Sequence, residues 1–175
     1  MKLRWLFGVL LGMAALAGSA SAQISAYADF SASKLTGGLG TTTTSVLYGP
    51  TIGISAQITS RKRFRLSGDV RGGFYGGSQR LDEVALGPKL GLPFGKNEAY
   101  VEGLVGFGRY NDGLGHVSSA STDSLVEINC GLDHRITSRF DWRVFDFGYE
   151  QYYGLGGEFN PKTFSTGVVM HLSKR

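Results

Sequence analysis

From Gln23 onward the chain alternates apolar and polar residues at a period of two, in segments of about ten residues parted by turn chemistry. The clearest segment sets Ile52, Ile54, Ala56 and Ile58 against Thr51, Gly53, Ser55, Gln57 and Thr59. Successive side chains of a strand point to opposite faces, so this pattern describes a sheet with one apolar and one polar side and fits no helix face. Eight segments are expected: 24–32, 46–59, a third led by Phe64, a fourth around 83–92, then 98–110, 125–136, a seventh after the turn at 137–139, and 162–172. Pro50 lacks a ladder donor and is expected near the loop-side end of the second strand.

The seventh segment lies in the aromatic stretch 136–153, ITSRFDWRVFDFGYEQYY. Asp141 and Arg143 share one parity, whereas Asp146 and Glu150 share the other, opposite Phe145, Phe147 and Tyr149. Either a β-bulge near Val144 resets the face, or one of these pairs lies at a membrane boundary.

Connections alternate in length. Lys34 to Ser45, a glycine-rich loop near Gly76, Gly77 and Ser78, Asn111 to Ser124 and Gly154 to Pro161 are the longer ones. Ser60 to Arg63, Phe94 to Asn97 and Thr137 to Arg139 are short turns, and Ile58-Thr59-Ser60-Arg61 is echoed by Ile136-Thr137-Ser138-Arg139. Short turns on one side and longer loops on the other is the layout of a membrane barrel. A sheet edge in hydrocarbon leaves backbone groups unpaired, so the sheet must close. The expected fold is therefore all-β, a closed antiparallel up-and-down transmembrane β-barrel of eight strands, its lumen filled by its own side chains. Asp29, Arg65, Asp69, Arg71, Glu83, Lys89, Glu102, Glu127, Asp133, Arg135 and Arg143 fall on the inward parity with both signs of charge. Buried charges persist when paired, so these residues are expected to form a crosslinked polar plug.

Composition agrees with that reading, with 27 glycines, 12% aromatic residues, 18% charged residues and only 4 prolines. Phe64, Phe94, Tyr100, Phe140 and Trp142 collect near the short turns and Tyr75, Phe107, Tyr110, Tyr152 and Tyr153 near the long loops, as two interfacial girdles. Residues 1–22 read as a signal peptide, with Lys2 and Arg4, an apolar run from Trp5 to Ala17 and Ala20-Ser21-Ala22 as the cleavage signal. The domains are then 1–22, signal peptide, and 23–175, barrel. Removing the signal takes away two bases and no acid, so the formal net charge falls from +4 to +2, which gives no argument for nucleic acid. Cys130, the single cysteine, excludes an intramolecular disulfide and is expected on the lipid face.

With these features in place, the alternating strands, Arg143 to Tyr149 (RVFDFGY) and the closing STGVVMHL are similar to the small eight-stranded outer-membrane β-barrel family, the relatives of the OmpA transmembrane domain and OmpX that are grouped with the porin family. The resemblance is one of architecture and covers essentially the whole mature chain. It implies an outer membrane of a Gram-negative-type bacterium, contact with outer-membrane lipid and lipopolysaccharide, insertion by the barrel assembly machinery, and a monomer. The last strand of that family usually ends in an aromatic residue; here the apolar series ends at Leu172.

His116-Val117-Ser118 is the one candidate for chemistry: a histidine and a serine two apart on a strand share a face, and Glu127 is available to orient the ring. This motif resembles the His-x-Ser of the outer-membrane lipid A deacylases, although Ser119 stands where an asparagine usually follows. His116, His134 and His171 lack ligand spacing, so neither metal nor cofactor is expected. The expected function is a non-enzymatic barrel with a structural or surface-interaction role, a plugged lumen and exposed loops. The alternatives are a deacylase-like hydrolase using His116, Ser118 and Glu127, or a narrow solute channel.

Overall fold

The computed structural model describes residues 23–35, 45–61, 63–77, 79–111, 121–153 and 160–172. These residues form eight strands and no helix: β1 (Ile24–Leu35), β2 (Ser45–Arg61), β3 (Phe64–Gly76), β4 (Arg80–Phe94), β5 (Asn97–Asn111), β6 (Ser121–Arg135), β7 (Phe140–Tyr153) and β8 (Lys162–His171). Each strand pairs antiparallel with the next, and β1 pairs with β8 to close the barrel. Every strand therefore has two neighbours, and among the described residues no strand is a free edge.

Alternation determines which side chains face outward. Phe30, Ile52, Ile54, Val84, Leu86, Val101, Val105, Ile128, Phe147 and Val168 are all exposed on the outer surface. Cys130 is exposed among them, between Ile128 and Leu132 on the outward parity of β6. Their inward neighbours are mostly charged or hydroxylated. At Gly95 the β4–β5 hairpin needs a positive φ of 61°, which glycine adopts without a Cβ clash.

Val144 is a bulge. Leu132 pairs with Phe145 and Asp133 with Arg143, so one residue of β7 has no partner on β6, and the β7–β8 register shifts between Arg143 and Asp146. Asp141 and Arg143 before it, and Asp146 and Glu150 after it, all face the lumen. The displaced Arg143 carbonyl accepts a hydrogen bond from the Thr166 hydroxyl at 2.8 Å. A second register shift sits at Ile58, between Gln57 and Thr59.

The strands run further toward the long connections than their alternation predicts. β1 continues to Leu35, β2 begins at Ser45, β5 ends at Asn111 and β6 begins at Ser121. Pro50 lies inside β2 rather than at its end: it pairs with Phe30 of β1, while the ladder to β3 passes from Thr51↔Gly73 to Tyr48↔Gly76. The cause is an inversion of polarity. At this end Lys34, Arg80, Arg109 and Thr122 point outward and Leu35, Leu47, Leu81 and Leu125 point inward. The 17 residues of β2, at about 3.3 Å each and a tilt of about 40°, rise roughly 40 Å, well beyond a lipid-facing band of about 25 Å. The excess is a collar in water that alternates as a soluble sheet does.

Deleting Val144 should turn either the Asp141/Arg143 pair or the Asp146/Glu150 pair outward. We expect this deletion to abolish the fast-migrating folded band seen by electrophoresis without boiling, whereas Val144→Ala retains it.

Candidate functional site

The lumen is built in three layers. In the middle, Arg143 of β7 is fully buried and reaches Asp29 of β1 at 2.9 Å and Asp133 of β6 at 3.1 Å. Arg71 of β3 holds Glu102 at 3.0 Å, Glu127 at 2.9 Å and Asp146 at 2.7 Å, on three further strands. Lys89 of β4 joins the two groups through Glu102 at 3.1 Å and Asp133 at 3.8 Å. Asp69 accepts hydrogen bonds from Tyr27 at 2.7 Å and from Ser55. A bidentate guanidinium fits this task, since its planar donors reach carboxylates on different strands at once.

Toward the collar, Glu83 accepts from Tyr75 at 2.9 Å and from Tyr152 at 2.5 Å, and Glu150 accepts from Thr163 at 2.6 Å. Above these polar contacts Leu35, Leu47, Leu81, Leu104 and Leu125 pack with Tyr75, Ala85 and Tyr152 into one buried apolar cluster, against which Tyr110 lies. At the opposite, short-turn end the lumen opens into a polar cavity of about 40 Å³ lined by residues including Ser25, Arg65, Lys89, Glu98 and His171. Arg65 is paired there with Glu98.

All the predicted inward residues thus lie on the lumen side, with Arg65 and Arg135 half-buried near the short turns and the other nine buried. Arg135 stands opposite Asp141 in the β6–β7 ladder. Glu98, Asp141, Asp146 and Glu150, which are not among the expected plug residues, are also buried. The parity of the last three would have placed them inside had the bulge been assumed.

Four of the proposed girdle residues are corrected: Tyr110, opposite the inward Leu81, packs against the lumen cluster. Tyr75, Tyr100 and Tyr152 are 2%, 3% and 3% exposed and face the lumen, not lipid. Tyr100 shares parity with Glu98 and Glu102, and its ring occupies the space over Gly131, where an added Cβ would meet it at 2.4 Å. Tyr27 covers Gly53 in the same way, at 2.3 Å. Both rings serve the cations: Lys89 lies 3.6 Å from the Tyr100 centroid and Arg143 lies 4.3 Å from that of Tyr27. Phe94, Phe107, Phe140, Trp142 and Tyr153 are exposed on the outer surface, whereas Phe64 and Tyr110 are half-buried.

His116 and Ser118 lie outside the described residues. Glu127, assigned with them to a hydrolytic site, is 2% exposed within the lumen and bound to Arg71. It sits six residues into β6 from Ser121, roughly 20 Å along the strand.

This geometry recurs in solved structures. Neisserial surface protein A is 18% identical with a TM-score of 0.56, over 84% of this chain and 96% of that one. Ail, the attachment invasion locus protein of Yersinia pestis, is 12% identical with a TM-score of 0.56, over 86% and 99%. The fold is that of the small eight-stranded outer-membrane β-barrels. The outer membrane enzyme PagL shares this barrel fold at 15% identity and a TM-score of 0.51, over 81% of this chain and 98% of that one. No protein-family model and no curated protein sequence matches this small barrel.

Arg143→Ala would strand Asp29 and Asp133 in the barrel interior. A loss of about 3–5 kcal/mol in urea unfolding from lipid is expected, because removing one partner leaves buried charge uncompensated. Arg143→Lys should recover only part of it, since an ammonium cannot fork between two carboxylates. The exposed Arg80–Asp82 pair provides the contrast: Asp82→Asn should change stability by less than about 1 kcal/mol.

Proposed function

We propose that the mature chain is an integral outer-membrane barrel of a Gram-negative-type bacterium, with a structural or surface-interaction role that needs no catalysis. One observation carries this reading: the lumen is obstructed twice, by the Arg71–Lys89–Arg143 network and by the leucine and tyrosine cluster above it. Such filling of the lumen by the described residues argues against the narrow channel. Its apolar outer surface is matched to outer-membrane lipid and lipopolysaccharide. Residues 1–22 would be removed on export and the barrel assembly machinery would insert a monomer. Specific contacts would then fall to the long connections beyond the collar, because the scaffold itself is generic.

The folded protein in planar bilayers should give no large, stable single-channel conductance, and the chain should fractionate with outer membranes as a heat-shifted band. Open channels of steady conductance would overturn the obstructed lumen, and a heat-insensitive band in the soluble periplasmic fraction would overturn the membrane assignment. The deacylase-like alternative draws on the barrel fold shared with the enzyme PagL and on His116 and Ser118. If it is wrong, Ser118→Ala leaves lipid A acylation, read by mass spectrometry of outer membranes, unchanged from that of cells making the unmutated chain. Loss of acyl-chain release in the variant would establish it instead.

A further inference from the structure

The polar cavity at the short-turn end contains a serine, a histidine and an aspartate connected in series. The Ser25 Oγ lies 2.7 Å from His171 Nδ1, and His171 Nε2 lies 2.9 Å from Asp141 Oδ2. The three residues come from β1, β8 and β7, far apart in the chain and adjacent in the closed barrel. Ser25 and His171 face each other in the β1–β8 register. The His171 backbone is pinned on both sides: its N–H donates to the Arg139 carbonyl at 2.8 Å, and that of Leu172 donates to Ile24 at 2.9 Å. The imidazole is therefore fixed by two strands.

Proton positions follow from the partners. An ionised carboxylate only accepts, so Asp141 requires the proton of a neutral imidazole to sit on Nε2. Nδ1 is then a bare acceptor, and the hydrogen bond with Ser25 runs from the hydroxyl to the ring. This is the protonation pattern of a general base poised on a nucleophile, with a third group holding the tautomer. Ser25 and His171 both line the cavity of about 40 Å³, together with Gln23, Gln57, Arg65 and Lys89. Arg65, paired with Glu98, and Lys89, paired with Glu102 and Asp133, place N–H donors at this cavity, which a developing oxyanion could accept from.

We propose that Ser25 is a nucleophile, His171 its general base and Asp141 a positioning residue in an acyl-transfer site that takes short-chain carboxylic esters from the short-turn side. This goes beyond the structural role proposed above and does not depend on the loops. The Ser25 oxygen bonds to the ester carbonyl carbon as its proton passes to His171 Nδ1. Collapse of the tetrahedral species breaks the bond to the alcohol oxygen, which leaves with that proton. Water then attacks the acyl-serine and gives a proton to His171, and the carboxylic acid is released as His171 passes that proton to the Ser25 oxygen. The net change is ester plus water to acid plus alcohol. The size of the cavity limits the acyl group to a short one.

The test uses the folded full chain in detergent micelles, its folding verified by the heat-shifted band. A small fluorophosphonate should phosphonylate Ser25, mapped by peptide mass spectrometry on the unmutated protein. Hydrolysis of p-nitrophenyl acetate should fall to the buffer rate in Ser25→Ala. Asp141→Asn should slow phosphonylation by up to roughly 10⁴-fold with the heat-shifted band retained, a result that a purely structural hydrogen bond would not give. No adduct on folded protein, an adduct on another residue, or equal hydrolysis by Ser25→Ala would overturn the proposal. Because the adduct is read on the unmutated chain, a variant that fails to fold does not remove the test.

Discussion

Hydrocarbon offers no hydrogen-bond partner to a backbone, and the closed ladder is the response to that constraint. Closure does more than satisfy N–H and C=O groups. With β1 bound to both β2 and β8, no strand is free to slip by one residue without turning its apolar set inward. Parity therefore dictates the face of every side chain, and only a bulge can change it within a strand. Val144 makes that change where it matters: without it β7 could present Arg143 or Asp146 to the lumen, but not both. Arg143 holds Asp29 and Asp133, while Asp146 takes a donor from Arg71. The bulge also frees a carbonyl toward the lipid side, and Thr166 satisfies it.

The lumen as a whole is acid-rich. Among the described residues Asp29, Asp69, Glu83, Glu98, Glu102, Glu127, Asp133, Asp141, Asp146 and Glu150 are buried, against the cations Arg71, Lys89 and Arg143. Such a network is weak evidence for net stability, since apolar residues of similar volume often serve as well. Its value lies in geometry. Arg143 ties β7 to β1 and β6, and Arg71 ties β3 to β5, β6 and β7, so the struts cross the barrel as well as running around it. A register error would leave several charges buried without partners at once. The tyrosine and glycine pairs complement this arrangement, because a strand without a Cβ at Gly53 or Gly131 admits a ring whose face meets a cation.

Much of this was legible in the alternation. Strand count, closure and the inward parity of Asp29, Arg71 and Glu102 follow from a lipid that tolerates only apolar neighbours. Tyr100 was harder to place because tyrosine suits both an interface and a lumen. Its shared parity with Glu102 was the available signal, and proximity to a turn was the misleading one. The collar was missed for a more general reason. A rule of apolar outside and polar inside makes Leu35, Leu47 and Leu125 look like the end of a pattern, although the period of two continues through them. What changes there is the solvent, from lipid to water, and the same ladder then calls for the opposite polarity.

That change of solvent makes the two ends of the barrel chemically unlike. At the long-connection end the interior is apolar and buried, so water and small polar solutes meet a desolvation barrier before they reach the ionic layer. At the short-turn end the strands stop without a collar and the interior remains polar, with Ser25, Arg65, Lys89 and His171 around a cavity. The ionic layer between them is crosslinked through Arg71, Lys89 and Arg143. Among the described residues, the short-turn mouth is therefore the place where lumen side chains fixed by strand register meet solution. Its size suits a small solute.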